Sequence, residues 1–311
     1  MKRILLIAVG LMIAAIALPP MWFAVFKADP PPELPPAGQR VVLADGTALN
    51  VLDSGEGPPV VMIHGLPGSA YDWRETSAAL VGLGMRAIAY DRVGYGRSDP
   101  RSSPNYTPEA NAAELIGLLE TMDLHDVTVV GWSYGGSTAM TAAMNEPERI
   151  RRLVLVGTGG PDSDDAQVPE PSNFMRFFYS DAVLRWRNSI PPLSVVLMKA
   201  LSDQAFSGGP QPAWWLQGLR ANFSRWETLI TFREEMMGLT PETVANFDVA
   251  LIRVPTLLLH ADDDRLASVE ISKYLSTRID GAKLVVYPGA SHMLPVTHAD
   301  AITKEIVEFA L

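Results

Sequence analysis

Cysteine is absent from all 311 residues. That excludes disulfides, a thiol nucleophile and thiolate metal sites, and it leaves the redox compartment open. Basic charge is scarce: 25 Lys and Arg stand against 35 Asp and Glu, a formal net charge of −10 with no basic block. Phosphate binding needs clustered cations, so nucleic acid is not expected as a partner. Internal repeats are missing, and the one low-complexity tract is the proline-rich "KADPPPELPP" near the N-terminus. What remains is globular. An apolar fraction of 48% is enough for a full core, and the length suits a single α/β domain carrying an insertion.

The N-terminus differs from the rest. Lys2 and Arg3 precede a run without charge from Ile4 to Phe26. A membrane span needs about 20 apolar residues, and this run is long enough. Pro19 and Pro20 interrupt it as one helix. Two readings stay open: an uncleaved anchor, or a signal peptide cut after "AIA", Ala15 to Ala17. Either places the body of the chain outside the cytoplasm, because the flanking cations stay inside. The expected organisation is an anchor or signal at 1–27 and an extended linker at 28–38, then a core at 39–160 and 251–311.

From Gln39 onward, short apolar runs alternate with helical patterns. "RVVLA" and "ALNVLD" predict a strand pair around the turn at Asp45-Gly46. "PVVMIHG", "MRAIAYD", "VTVVGWS", "IRRLVLVGT", "VPTLLLHA" and "AKLVVYPG" predict further strands. "DWRETSAALVGLG", "TPEANAAELIGLLETMDL", "YGGSTAMTAAMNE" and "ADAITKEIVEFAL" predict helices. Such alternation predicts an α/β fold with a mostly parallel central sheet and helices on both faces. The stretch 161–250 breaks the pattern: it shows helical periodicity and no convincing strand. Trp215, Leu219 and Phe223 recur there at i, i+4 and i+8, and Trp186, Trp214 and Trp226 lie nearby. It reads as an inserted helical cap, with aromatic and methionine side chains to line an apolar pocket.

One stretch, "VVGWSYGGS" at 129–137, crowds glycines around Ser133. An alcohol is a poor nucleophile at neutral pH, so it must be held exposed beside a base, with donors ready for a developing oxyanion. A sharp strand-to-helix turn exposes the hydroxyl, and Gly131 and Gly135 avoid the clash that such a turn creates. The apolar strand before it and the helix after it supply the context that G-x-S-x-G requires.

With "HGLPGS", "DRVGYGRSD", "GWSYGG" and the late pair "HADDDRLAS" and "GASHML", the chain from about residue 39 to its end resembles the α/β-hydrolase fold family. The likeness is to the capped esterase, haloperoxidase and epoxide-hydrolase-like kind. The resemblance implies Ser133 as nucleophile and His292 as general base. Asp264 is implied as the acid that orients His292, chosen from Asp262, Asp263 and Asp264 by the family's count of three from the strand's final Ala261. It implies an oxyanion hole made of the Tyr134 and Leu66 N–H groups, Pro67 having none to give. His64 and the "DRVGYGRSD" loop are structural in the family, and His125 and His298 read as ordinary surface or core residues. Neither cofactor nor metal is implied. The aspartate run lacks the EF-hand spacing, and the G-x-G of the loop lacks the third glycine of a dinucleotide turn.

Serine at this turn points to an acyl-enzyme, where related dehalogenases and epoxide hydrolases carry aspartate. The expected activity is hydrolysis of a small carboxylic ester, lactone or thioester with an apolar moiety. A carbon–carbon bond hydrolase or a cofactorless haloperoxidase or perhydrolase is the alternative, and a slow-turnover ligand receptor of the same fold is another. Trp132 stands where the carbon–carbon hydrolases typically carry asparagine. The membrane enters as a partner only through the N-terminal segment, and the oligomeric state stays open.

Overall fold

The computed structural model describes residues 17–18, 33–102, 105–163, 170–190, 199–238 and 248–311. The expected anchor or signal lies outside the described residues except for 17 and 18. No helix among the described residues is long and apolar enough to cross a membrane.

Eight strands form one sheet: β1 (Gln39–Val42), β2 (Ala48–Ser54), β3 (Pro59–Ile63), β4 (Arg86–Tyr90), β5 (Val127–Trp132), β6 (Ile150–Val156), β7 (Thr256–Ala261) and β8 (Lys283–Tyr287). Their spatial order is β1-β2-β4-β3-β5-β6-β7-β8. The hairpin β1–β2 and the β2–β4 pair are antiparallel, and all later pairs are parallel. Central β5 is buried at every position, as a parallel strand covered on both faces must be.

Alternation along the strands divides the core into two layers. Val61, Ile63 and Val129 face one cluster with Leu115 and Leu118 of α2 (Pro108–Thr121), Met140 of α3 (Tyr134–Asn145) and Leu275 of α8 (Val269–Arg278). Val60, Met62 and Val130 face the other, with Leu80 of α1 (Arg74–Gly82) and Ile302 and Ile306 of α10 (Ala299–Ala310). Period-two side-chain placement makes one strand serve both layers. Each fully buried Leu or Ile contributes about 1.5–3 kcal/mol. The helix ends follow local chemistry: α2 starts where the Thr107 hydroxyl accepts from Ala110 N at 3.3 Å, with Pro108 in the first turn.

Between β6 and β7 the described elements are helical. They include α4 (Asn173–Phe178), α5 (Asp181–Asn188), α6 (Ala213–Phe223) and α7 (Trp226–Gly238). The i, i+4, i+8 stripe of Trp215, Leu219 and Phe223 is buried on α6, as its spacing predicts. Trp215 stacks edge-on at 6.2 Å to Trp132 of β5, which seats α6 over the sheet. Leu219 and Phe223 join Phe232 of α7 in a third cluster that also receives Leu66.

Helix α8 went unnamed in the sequence pattern because its stripe is short: Leu275 is buried with Ile271 and Tyr274 packed beside it, and most of the rest of the helix is polar. The linker differs from a free spacer at its far end: Arg97 donates to the carbonyls of Pro35 at 2.8 Å and Leu34 at 3.2 Å.

Candidate active site

Strand β5 delivers Trp132, and α3 begins at Tyr134, leaving Ser133 as the single residue of the turn. Its backbone sits at φ 55°, ψ −123°, a sparsely populated region for a residue with a Cβ. Such a position costs of order 1–3 kcal/mol and needs its surroundings to enforce it. They do so by proximity. A Cβ on Gly131 would lie 2.4 Å from Gly135 O, and one on Gly135 would lie 2.4 Å from Ile63 O. One on Gly136 would lie 2.1 Å from Thr158 Oγ1. Ser133 N donates to Val156 O at 3.0 Å, tying the turn to β6. The crowding of glycines is therefore a packing requirement of the turn.

His292 lies in the segment between β8 and α9 (Leu294–Thr297). Its Nδ1 is 2.7 Å from Asp264 Oδ2, with the two side chains 4% and 0% exposed. An ionised carboxylate only accepts, so Nδ1 carries the proton and Nε2 of the neutral ring is left as a base. Asp264 Oδ1 accepts from Leu266 N at 2.9 Å and Ala267 N at 2.8 Å. Burial alone would raise the Asp264 carboxyl. Hydrogen bonds from His260, His292 and the backbone outweigh it and hold the group below the ordinary carboxylate range. Asp262 and Asp263 are exposed; the first accepts from Gly289 N at 2.6 Å and the second faces Arg265 at 3.4 Å. Of the three aspartates, only Asp264 meets His292. Gly157, at φ 48°, presses on the pair: its Cβ would lie 3.3 Å from Asp264 Oδ2 and 3.5 Å from His292 Nδ1.

Sequence reasoning passed over His260. It is fully buried at the end of β7, with Nε2 2.9 Å from Ala267 O and 3.5 Å from Asp264 Oδ2. A carbonyl only accepts, so Nε2 carries the proton, and Nδ1 accepts from Ser272 Oγ at 2.6 Å. The only trace of it in the sequence is a histidine closing an apolar strand. Trp132 likewise does more than fill space: its Nε1 donates to the His292 carbonyl at 3.0 Å.

The Gly65–Leu66 turn lies against Ser133, for a Cβ on Gly65 would stand 3.0 Å from Ser133 Cβ. Tyr134 N opens α3, where a helix leaves its first N–H groups without internal acceptors. Among the described residues neither Leu66 N nor Tyr134 N donates to a protein group. His64 stands apart from this chemistry. It is buried, accepts from Arg92 N at 3.0 Å through Nε2, and donates from Nδ1 to Gly65 O at 2.9 Å. Burial, helped by Arg92, pushes its pKa well below the usual histidine value, so the ring is neutral. His125 pairs with Asp123 at the surface, and His298 meets the Thr297 hydroxyl.

Ser133 and His292 open together onto a cleft of about 370 Å³, its mouth included. Its floor is Leu66, Pro67, Trp132 and Met293, and its roof is Leu201, Ala205, Trp215 and Leu219 from the insertion. No Lys or Arg is among the described residues lining it. A half-buried hydroxyl and an imidazole base that line one cleft, with two N–H groups left without protein acceptors on the turns around them, are the groups that acyl transfer needs.

Known proteins agree with this architecture. The chain is 29% identical over 284 residues to a non-heme haloperoxidase of Rhodococcus erythropolis, covering 86% of this chain and 98% of that one. It is 28% identical over 291 residues to a 2-hydroxy-6-oxo-2,4-heptadienoate hydrolase of Pseudomonas putida, covering 87% and 95%. Among solved structures, an esterase from Exiguobacterium antarcticum superposes with a TM-score of 0.71 at 24% identity, over 88% of this chain and 99% of that one. The model of the alpha/beta hydrolase fold matches residues 58–299. With three-quarters of its length matched and the sheet order of that fold, the chain belongs to the α/β-hydrolase fold family.

Proposed function

We propose that this hydrolase cleaves a small, neutral carboxylic ester, lactone or thioester with an apolar moiety, through an acyl-enzyme on Ser133. The observation that carries the reading is the shared cleft: Ser133 and His292 line it, His292 is held by Asp264, and the walls are apolar and without cations. In this reading the Ser133 hydroxyl adds to the acyl carbon while His292 Nε2 takes its proton. Asp264 stabilises the imidazolium without taking the proton itself. The Leu66 and Tyr134 N–H groups receive the oxyanion. The imidazolium then protonates the departing alcohol, the acyl-enzyme remains, and water attacks it by the same route in reverse. The residues at 161–250 act as a cap over the acyl or alcohol part.

Two relatives bear names of carbon–carbon bond substrates that are carboxylates, a dienoate and a dienedioate. Burying such an anion calls for a paired cation. The apolar lining therefore supports the neutral ester over the dienoate. For the N-terminus we propose a membrane tether or a cleaved signal, with the catalytic part outside the cytoplasm; Lys2 and Arg3 before the uncharged run support it.

The test is hydrolysis of a p-nitrophenyl ester panel of graded acyl length, with lactones and a dienoate included. Steady turnover of neutral esters is expected, and Ser133→Ala should lose nearly all of it while remaining folded. An active Ser133→Ala chain, or preference for the dienoate, overturns the reading. Binding without turnover identifies a receptor instead.

A further inference from the structure

One buried cation lies outside the groups that the mechanism uses. Arg92 follows β4 and is fully buried. Its guanidinium faces two ways. Nη1 and Nη2 both donate to Glu235 of α7, the second at 3.2 Å, and Nη2 also donates to the Gly65 carbonyl at 3.2 Å. The same cation lies 4.8 Å from the ring centroid of Tyr134 and 4.7 Å from that of Tyr95. Glu235 is equally buried, and it accepts from Tyr95 OH at 2.7 Å and Asn111 Nδ2 at 2.9 Å. Asn111 in turn reaches the Tyr134 hydroxyl at 3.4 Å.

We propose that Arg92 is a positioning residue for the oxyanion-binding peptide Gly65–Leu66, and that Glu235 makes this positioning depend on the seating of α7 in the inserted segment. The proposal rests on the serine-hydrolase reading above. Its physical content lies in one peptide unit. The Gly65–Leu66 bond is trans, so the Gly65 carbonyl and the Leu66 N–H point in opposite directions. Two donors hold that carbonyl, His64 Nδ1 and Arg92 Nη2. Holding the oxygen on one side aims the N–H to the other, and Ser133 lies against this turn. A full positive charge on the carbonyl also polarises the peptide and strengthens its N–H as a donor.

An isolated buried guanidinium would be very costly, so its place depends on Glu235. Glu235 belongs to the insertion, and α7 brackets the Arg92 loop closely. A Cβ on Gly94 would lie 2.0 Å from Thr231 Oγ1, and Thr228 Oγ1 donates to Gly94 O at 3.1 Å. A helix of the insertion that does not itself line the cleft therefore also sets the angle of one proposed oxyanion donor.

The experiment uses Arg92→Lys and Glu235→Gln in the full chain. A lysine keeps the charge but has no second arm to hold Gly65 O while pairing with Glu235. The glutamine keeps the shape of Glu235 and removes its charge. Two quantities are read: kcat and KM on a p-nitrophenyl ester, and affinity for a trifluoromethyl ketone, whose serine hemiketal places an oxyanion in the hole. Losing one oxyanion donor outright costs about 10²–10³ in kcat. A misaimed donor should cost part of that, about 10–100-fold in kcat with KM changed less than about threefold. Ketone affinity should fall in step with kcat/KM. Folded variants that keep full kcat and full ketone affinity overturn the proposal, while activity in the parent chain leaves the serine reading intact. Should both variants fail to fold, Tyr95→Phe decides, since it removes only the phenol's bond to Glu235. A loss of about three- to tenfold in kcat, matched by ketone affinity, is expected. An unchanged folded Tyr95→Phe chain overturns the proposal.

Discussion

Ser133 sits at φ 55° in a turn packed so closely that a Cβ at Gly131, Gly135 or Gly136 would clash, and this was readable from the sequence as glycines flanking one serine after a run of valines. Asp264 and His292 were readable as members of a known pattern, and the structure brings them within 2.7 Å. His260 was not readable. Its meaning depends on Ala267, Ser272 and Asp264 folding around it, and a histidine ending an apolar strand does not announce such partners. Glu235 was hidden for the same reason, with its partner Arg92 lying 143 positions away. A prediction belongs to His260. Its Nε2–H helps hold the proposed acid ionised within a buried site. His260→Phe removes that donor, so the Asp264 carboxyl rises toward the value that burial favours. The carboxylate must be ionised to stabilise the imidazolium, so the acid limb of kcat/KM should move to higher pH. His260→Gln, which keeps an N–H, should move it less. Superimposable pH profiles for the parent and His260→Phe would show that His260 only fills space.

Elements were legible where one physical rule dominated. A parallel strand buried on both faces reads as a continuous apolar run, and β3, β5, β6 and β7 fall where such runs predict them. Helices with a clear stripe were legible too, α10 through Ile302 and Ile306 and α6 through Trp215, Leu219 and Phe223. Helix α8 was not, because its stripe of Ile271, Tyr274 and Leu275 is short and set among polar residues, one of them the serine that serves His260. Helix α2 allows a test of local chemistry alone. Its N-cap is Thr107, whose hydroxyl accepts from Ala110 N. Thr107→Ala should cost about 1 kcal/mol. Urea unfolding measures it as a lower midpoint at an unchanged slope. An unchanged midpoint would mean that the Pro108 turn sets the helix start without the cap.

The whole molecule couples its stability to pH through carboxyls buried without enough compensation. Burial pushes Asp72 up to about 8, against the pull of the Ser69 N–H, and pushes Glu114 to about 7 in spite of Arg101. Unfolded, such groups lose their protons near about pH 4. Between the unfolded and folded values the folded chain binds more protons, so stability falls as pH rises. The urea midpoint should therefore be lower at about pH 9 than at about pH 6, and Asp72→Asn should shrink the difference. A midpoint that is flat or rising over that range contradicts protonated buried carboxyls. The same scale decides where the folded body begins. The sheet starts at Gln39, but Arg97 fastens the chain earlier, at the carbonyls of Leu34 and Pro35. Arg97 belongs to the loop that carries Arg92, so the fastening lies on the segment that also holds Gly65. A chain beginning at Glu33 keeps both bonds, whereas one beginning at Pro36 loses them. Each such bond contributes about 0.5–1.5 kcal/mol net, and Arg97 is exposed, so the lower end applies. The chain from Glu33 should match the full chain in turnover of a short water-soluble ester. The chain from Pro36 should fold with a thermal midpoint lower by a few degrees and a similar kcat. Loss of activity in the chain from Glu33 would place residues before it within the catalytic body, and the proposal of a detachable N-terminal segment would fall.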